Sequence, residues 1–96
     1  MTYKERITEA RRLEILRLLA ETPGYEAGAG LIVRALTVPA SADQVGADLS
    51  WLDEQDLVSL SDVSGVQLAR ITQRGLDAAR GMSRVPGVAR PLPGEQ

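Results

Sequence analysis

The run Ser41–Gly75, SADQVGADLSWLDEQDLVSLSDVSGVQLARITQRG, constrains the fold of this chain more than any other. Ser41 followed by Gln44 has capping-box spacing: the Ser hydroxyl takes the third backbone N–H, and the Gln side chain takes the N–H of the cap. Asp43 adds negative charge at the positive end of the helix dipole. Val45, Leu49 and Leu52 recur at i, i+4 and i+7, so a helix is expected from Ser41 to about Gln55. Asp56 follows at a turn-out position, where Asp tolerates left-handed geometry better than most residues. Leu57–Leu60 and Val66–Ile71 are β-like, and Ser61-Asp62-Val63-Ser64-Gly65 supplies turn chemistry between them. Thr72 then caps a last helix, about Gln73–Gly81, with Leu76 and Ala79 inward.

Upstream, Tyr3–Glu21 reads as a first helix. Six of the eight residues Leu13–Ala20 are apolar. Glu14, Arg17 and Glu21 fall within one narrow arc at 100° per residue, so protein must cover the rest of that half. Its first half is mostly charged; Arg11 and Arg12, with Lys4 and Arg6, are expected on a solvated face among Glu5, Glu9 and Glu14, and the other reading makes them a phosphate-contacting patch. Thr22-Pro23-Gly24 stops the helix. Glu26–Leu36 is a weaker second helix, because Gly28 and Gly30 each cost about 1 kcal/mol in a helix interior. The tail Ser83–Gln96 holds Pro86, Pro91 and Pro93 and should be extended. The expected organisation is a domain over residues 1–82 and a Pro-rich tail over 83–96.

Ninety-six residues make one small domain. Phe is absent, so Leu, Val, Ile and Ala must fill the core. With no Cys and no His, disulfides, Cys/His zinc sites and a His general base are excluded. Gly28 and Gly30 are not a phosphate loop: no Lys-Ser/Thr follows and no strand precedes. The carboxylates show neither EF-hand spacing nor a paired general base. The expected protein is therefore not an enzyme and uses no cofactor or metal. No apolar run reaches the length of a membrane span, and the charged N-terminus does not read as a signal peptide. A cytoplasmic location follows as the expectation.

The net charge of −2 is unevenly distributed. Residues 1–34 carry +1, residues 35–69 carry −6 with no Lys or Arg, and residues 70–96 carry +3. The acids of the middle segment are Asp43, Asp48, Asp53, Glu54, Asp56 and Asp62.

Helix, helix, capped helix, hairpin and Thr-capped helix is the order of winged-helix regulators. DLSWLDEQDLV resembles the passage from recognition helix to first wing strand in such proteins, and ARITQRGLDAA resembles the exit from the wing. With RRLEILRLLAE near the start and RVPGVARPLPG at the end, nearly the whole chain resembles a family of small winged-helix proteins of Mu-like prophages, ArsR-type by fold. The resemblance implies an α+β winged helix-turn-helix fold: three helices, a short hairpin wing, a C-terminal helix and an extended tail. It implies a phage-encoded DNA-binding protein of the transcription-regulator type, acting on double-stranded DNA in the bacterial host. A non-enzymatic interaction or assembly module, contacting another phage protein, is the alternative, since winged helices serve both ends.

The exposed positions of the third helix are expected at Ala42, Asp43, Gln44, Gly46, Ala47, Ser50, Asp53 and Glu54. Only Gln44 and Ser50 among them suit base edges, and no Arg is present to take a guanine. Arg34, Arg70 and Arg74 are the candidate phosphate contacts. A homodimer is expected, with Leu18, Leu19, Trp51, Leu76, Val85 and Val88 as candidate contacts with a partner. The tail is expected to dock on protein, through Val85, Val88 and Leu92. The other reading makes Arg84 and Arg90 a minor-groove arm.

Overall fold

Residues 2–92 are described by a computed structural model. Helix α1 spans Tyr3–Glu21, strand β1 Glu26–Gly28, helix α2 Ala29–Ala35 and helix α3 Ala42–Glu54. Strand β2 runs over Val58–Val63, strand β3 over Val66–Ile71 and helix α4 over Gln73–Ala79. A single 3-10 turn at Pro23–Tyr25 joins α1 to β1. The architecture is α+β, with an antiparallel sheet in the order β1-β3-β2. It is compatible with a winged-helix arrangement.

Local chemistry sets most of these boundaries. The Thr2 hydroxyl caps α1 by accepting from the Glu5 N–H, and the Thr22 N–H closes the other end on the Leu19 carbonyl. The capping box of α3 is complete: Ser41 Oγ accepts from Gln44 N–H, and Gln44 Oε1 accepts from Ser41 N–H. Asp56 is left-handed at φ 63°. Thr72 caps α4 by accepting from the Gly75 N–H.

Three expectations change. The second helix does not begin at Glu26. Glu26, Ala27 and Gly28 are extended and lie opposite Arg70, Ala69 and Leu68 of β3, so only Ala29–Ala35 is helical. A long-range strand pairing has overridden the local pattern there. The hairpin is longer and its turn tighter than Leu57–Leu60 plus a five-residue loop. Val63 lies opposite Val66, leaving Ser64 and Gly65 as a two-residue turn with φ of 53° and 82°. Positive φ at both central residues matches the right-handed twist of the strands. Finally, α4 stops at Ala79, and Gly81 follows at φ 75°.

The core lies between the helices and one face of the sheet. Leu13, Ile15, Leu16 and Leu19 of α1 meet Ile32 of α2, and Val45, Leu49 and Leu52 of α3. Leu57, Val58, Ala69, Ile71, Leu76, Ala78 and Ala79 complete it from the sheet and α4. Burying one such Leu, Ile or Val fully contributes about 1.5–3 kcal/mol relative to exposure. Val85 and Val88 belong to the same core, so residues after α4 fold back onto their own domain. Pro93 and the residues beyond it lie outside the described residues. Among the described residues, no helix is long and apolar enough to cross a membrane.

Candidate functional site

The solvent face of α3 holds the residues expected to read DNA. Asp43, Ala47, Ser50 and Glu54 recur at helical spacing and are exposed, with Asp53 beside them. Small side chains occupy the middle of this face and acids its two ends. Gln44 is exposed, but its carbonyl oxygen is occupied by the cap of its own helix. Ser50 is exposed. No Lys or Arg lies on α3, β2 or the hairpin turn.

The three candidate arginines are also exposed, but sit on different elements. Arg34 is in the last turn of α2. Arg70 lies on the outer face of β3, between Glu26 of β1 and Ser59 of β2 in the strand register. Arg74 Nε donates to the Gln55 carbonyl at 3.0 Å, which ties α4 to the end of α3.

Behind α3 is an ionic cluster that the sequence did not announce. Asp48 is 2% exposed, and its carboxylate lies between the guanidinium groups of Arg11 and Arg12. Arg11 Nε donates to Asp48 Oδ2, and Arg12 Nε donates to Oδ1 at 3.3 Å. The Arg12 guanidinium stacks 4.0 Å from the centre of the Trp51 ring. Its Nη1 donates to the Gly87 carbonyl at 3.1 Å. Expecting Arg11 and Arg12 on a solvated face is therefore wrong. Arg11 is only 6% exposed, because it partners an acid that arrives on α3 37 residues later. Asp48 likewise faces away from any approaching phosphate.

This cluster holds a strap, residues 83–92. Gly87 has φ 95°, and a Cβ there would lie 2.6 Å from Trp51 Cζ2. The Ala89 N–H donates to the Glu9 carbonyl of α1 at 3.1 Å, and Val85, Val88 and Pro91 are buried. Arg84 and Arg90 are exposed along it.

The remaining partner-contact candidates divide between core and surface. Leu19, Leu76, Val85 and Val88 are buried within one chain, and Trp51 is half-buried under the strap. Leu18 lines an open groove of 540 Å³, walled by Leu13, Ala35, Val38, Ala89 and Leu92 and edged by Glu14. Burial raises the pKa of Glu14. Hydrogen bonds from the Thr37 hydroxyl and from the Val38 and Thr37 N–H groups outweigh it, so the carboxyl stays below its ordinary value. Glu14 thereby pins the loop between α2 and α3 to α1. Among the described residues, no group of three or more acids converges as a metal site would require.

No family model and no solved structure matches the chain. It is 39% identical over 90 residues to gp26 of Escherichia phage Mu, covering 91% of this chain and 93% of that protein. It is 41% identical over 80 residues to a Haemophilus influenzae protein, covering 79% and 78%. Both relatives are described as uncharacterized. A match of that identity over nearly the whole of both chains places this protein in the family of small Mu-like phage proteins that includes gp26 of phage Mu.

Proposed function

We propose that this is a non-enzymatic protein-interaction module of a Mu-like phage, built on a winged-helix scaffold, and that the outer face of α3 contacts a basic surface of another phage protein. One observation carries the reading. The exposed face that would enter a major groove is Asp43, Gln44, Ala47, Ser50, Asp53 and Glu54, without a single cation. Advancing that face toward phosphates costs Coulomb energy and releases no counterions. Arg11 and Arg12, which reach α3 from α1, are taken up by Asp48. Small residues at Ala47 and Ser50 leave a flat centre between acidic ends, which suits a Lys- or Arg-bearing protein surface.

A DNA-binding regulator is the second reading. The order of helices and hairpin favours it, as do the exposed guanidinium groups of Arg34 and Arg70. The two readings separate by fluorescence anisotropy against mixed phage duplex DNA at low and moderate salt. The interaction reading expects no binding at micromolar protein even in low salt. It also expects photo-crosslinkers at Ala47 and Ser50 to join one phage protein, and Asp43→Lys with Glu54→Lys to abolish that product. DNA binding that falls steeply with salt would overturn the reading, and Gln44→Ala would then show whether α3 reads bases.

A further inference from the structure

The sheet has one long uncovered edge. In the order β1-β3-β2, strand β2 has β3 on one side and, among the described residues, no strand on the other. The register shows which backbone groups face that edge. Residues flanking a two-residue hairpin turn exchange both hydrogen bonds, so Val63 and Val66 form such a pair. Alternation then assigns Ser61–Leu68 and Ser59–Arg70 as bonded pairs. The Thr72 N–H donation to the Leu57 carbonyl, at 3.1 Å, continues the same parity. The N–H and C=O groups of Val58, Leu60 and Asp62 therefore point away from β3, toward the open edge.

That edge has almost none of the usual protection. Natural edge strands carry Lys, Pro or a bulge that discourages pairing. Strand β2 reads VSLSDV, and it runs through a continuous register without a bulge. Its one charge, Asp62, is turned into the hairpin, where Oδ1 accepts from the Gly65 N–H. Ser59 and Ser61 are exposed and Leu60 is half-buried.

We propose that β2 pairs antiparallel with β2 of a second copy of this chain, making one continuous six-stranded sheet across a two-fold axis at Leu60. The strand is self-complementary in that register. Leu60 meets Leu60 of the second copy, and Val58 and Asp62 meet Asp62 and Val58. Every outward backbone group on both strands finds a partner, and no acid lies opposite an acid. The sheet face that carries Val58 and Leu60 inward continues unbroken through the axis. On the outer face, Ser59 lies opposite Ser61. Neither the α1 groove nor the acidic face of α3 takes part, so this interface stands or falls independently of the proposed function.

Sedimentation of the full chain over a range of concentrations, with amide hydrogen exchange followed by NMR, tests the pairing. The expected result is a mass of two chains at high concentration. Exchange at Val58, Leu60 and Asp62 should slow roughly tenfold or more on association. Exchange at Ser59, Ser61 and Val63, already bonded to β3, should hardly change. A single-chain mass at every concentration overturns the proposal, and so does a two-chain mass with Val58, Leu60 and Asp62 still exchanging freely. Leu60→Lys places two cations together on the axis and should give a folded single chain. A folded Leu60→Lys chain that still has the two-chain mass also overturns it. If that variant does not fold, the exchange pattern of the natural sequence decides alone.

Discussion

Replacing Gly87 with Ala tests the strap at the point where it is most tightly gripped. The new methyl would sit 2.6 and 2.7 Å from two atoms of the Trp51 ring and 3.3 Å from Arg12 Nη1. The ring has no easy escape, because Arg12 stacks on it and is itself held by Asp48. Forcing a side chain into left-handed backbone costs about 1–2 kcal/mol. Overpacking costs about 1–3 kcal/mol more. The strap can instead lift, exposing Val85, Val88 and Pro91 while its backbone regains conformational freedom. The protein will take the cheaper course, which caps the loss at the docking free energy of the strap. We expect a destabilisation of about 2–4 kcal/mol in urea unfolding. Trp51 is the only Trp in the chain and reports directly. A lifted strap should shift its native emission to the red and speed tryptic cleavage at Arg84, which precedes Val85, whereas the Arg90–Pro91 bond resists trypsin. A change below about 0.5 kcal/mol with native emission and cleavage unaltered would refute the account, since it lies within ordinary surface substitutions.

Asp48→Asn strands the buried Arg11 guanidinium and should cost about 3–5 kcal/mol in thermal or urea unfolding. Asp48→Leu combined with Arg11→Met should recover most of that loss, and a cost under about 1 kcal/mol for the single change would count against a buried ion pair. Gly75→Ala would drive a Cβ to 2.2 Å from the Leu57 carbonyl oxygen, separating α4 from the start of β2, with an expected loss of about 3 kcal/mol or more. Gly30→Ala meets nothing within 4 Å and lies in α2, so its stability in urea unfolding should rise by about 0.5–1 kcal/mol. Glu14 has a folded pKa below its usual 4.5, so its contribution is full above 4.5 and fades as pH falls through the folded value. The stability gap between the natural chain and Glu14→Gln should therefore be widest at neutral pH and close in acid, and a gap that grows in acid would contradict this.

Sequence revealed the elements with local causes. Tyr3–Glu21 was legible because its apolar run ends at Thr22-Pro23-Gly24. Ser41 with Gln44, Asp56 and Thr72 each announced a helix start or a turn through its own side chain. Strand β1 was not legible, because Glu26, Ala27 and Gly28 are extended only through partners forty or more residues away in β3. The ionic cluster was hidden for the same reason. Arg11 and Arg12 stand among acids in sequence, and nothing nearby marks them as partners of Asp48. One signal was present: Asp48 sits one residue before Leu49, on the edge of the α3 apolar stripe, where an acid needs a cation from elsewhere.

The contact between Arg12 and Gly87 also bears on how the protein is made. These residues are 75 positions apart in the chain. At about 5–20 residues per second, a ribosome needs roughly 4–15 s after Arg12 to deliver its partner. Throughout that interval α1 exists without the strap that will close over its side, and Arg12 has neither the Gly87 carbonyl nor, at first, Asp48. The final packing of α1 thus waits on residues made 75 positions after it. A chain cut short before Val85 would leave the ribosome with α1 uncovered on that side, an easy target for proteases and chaperones.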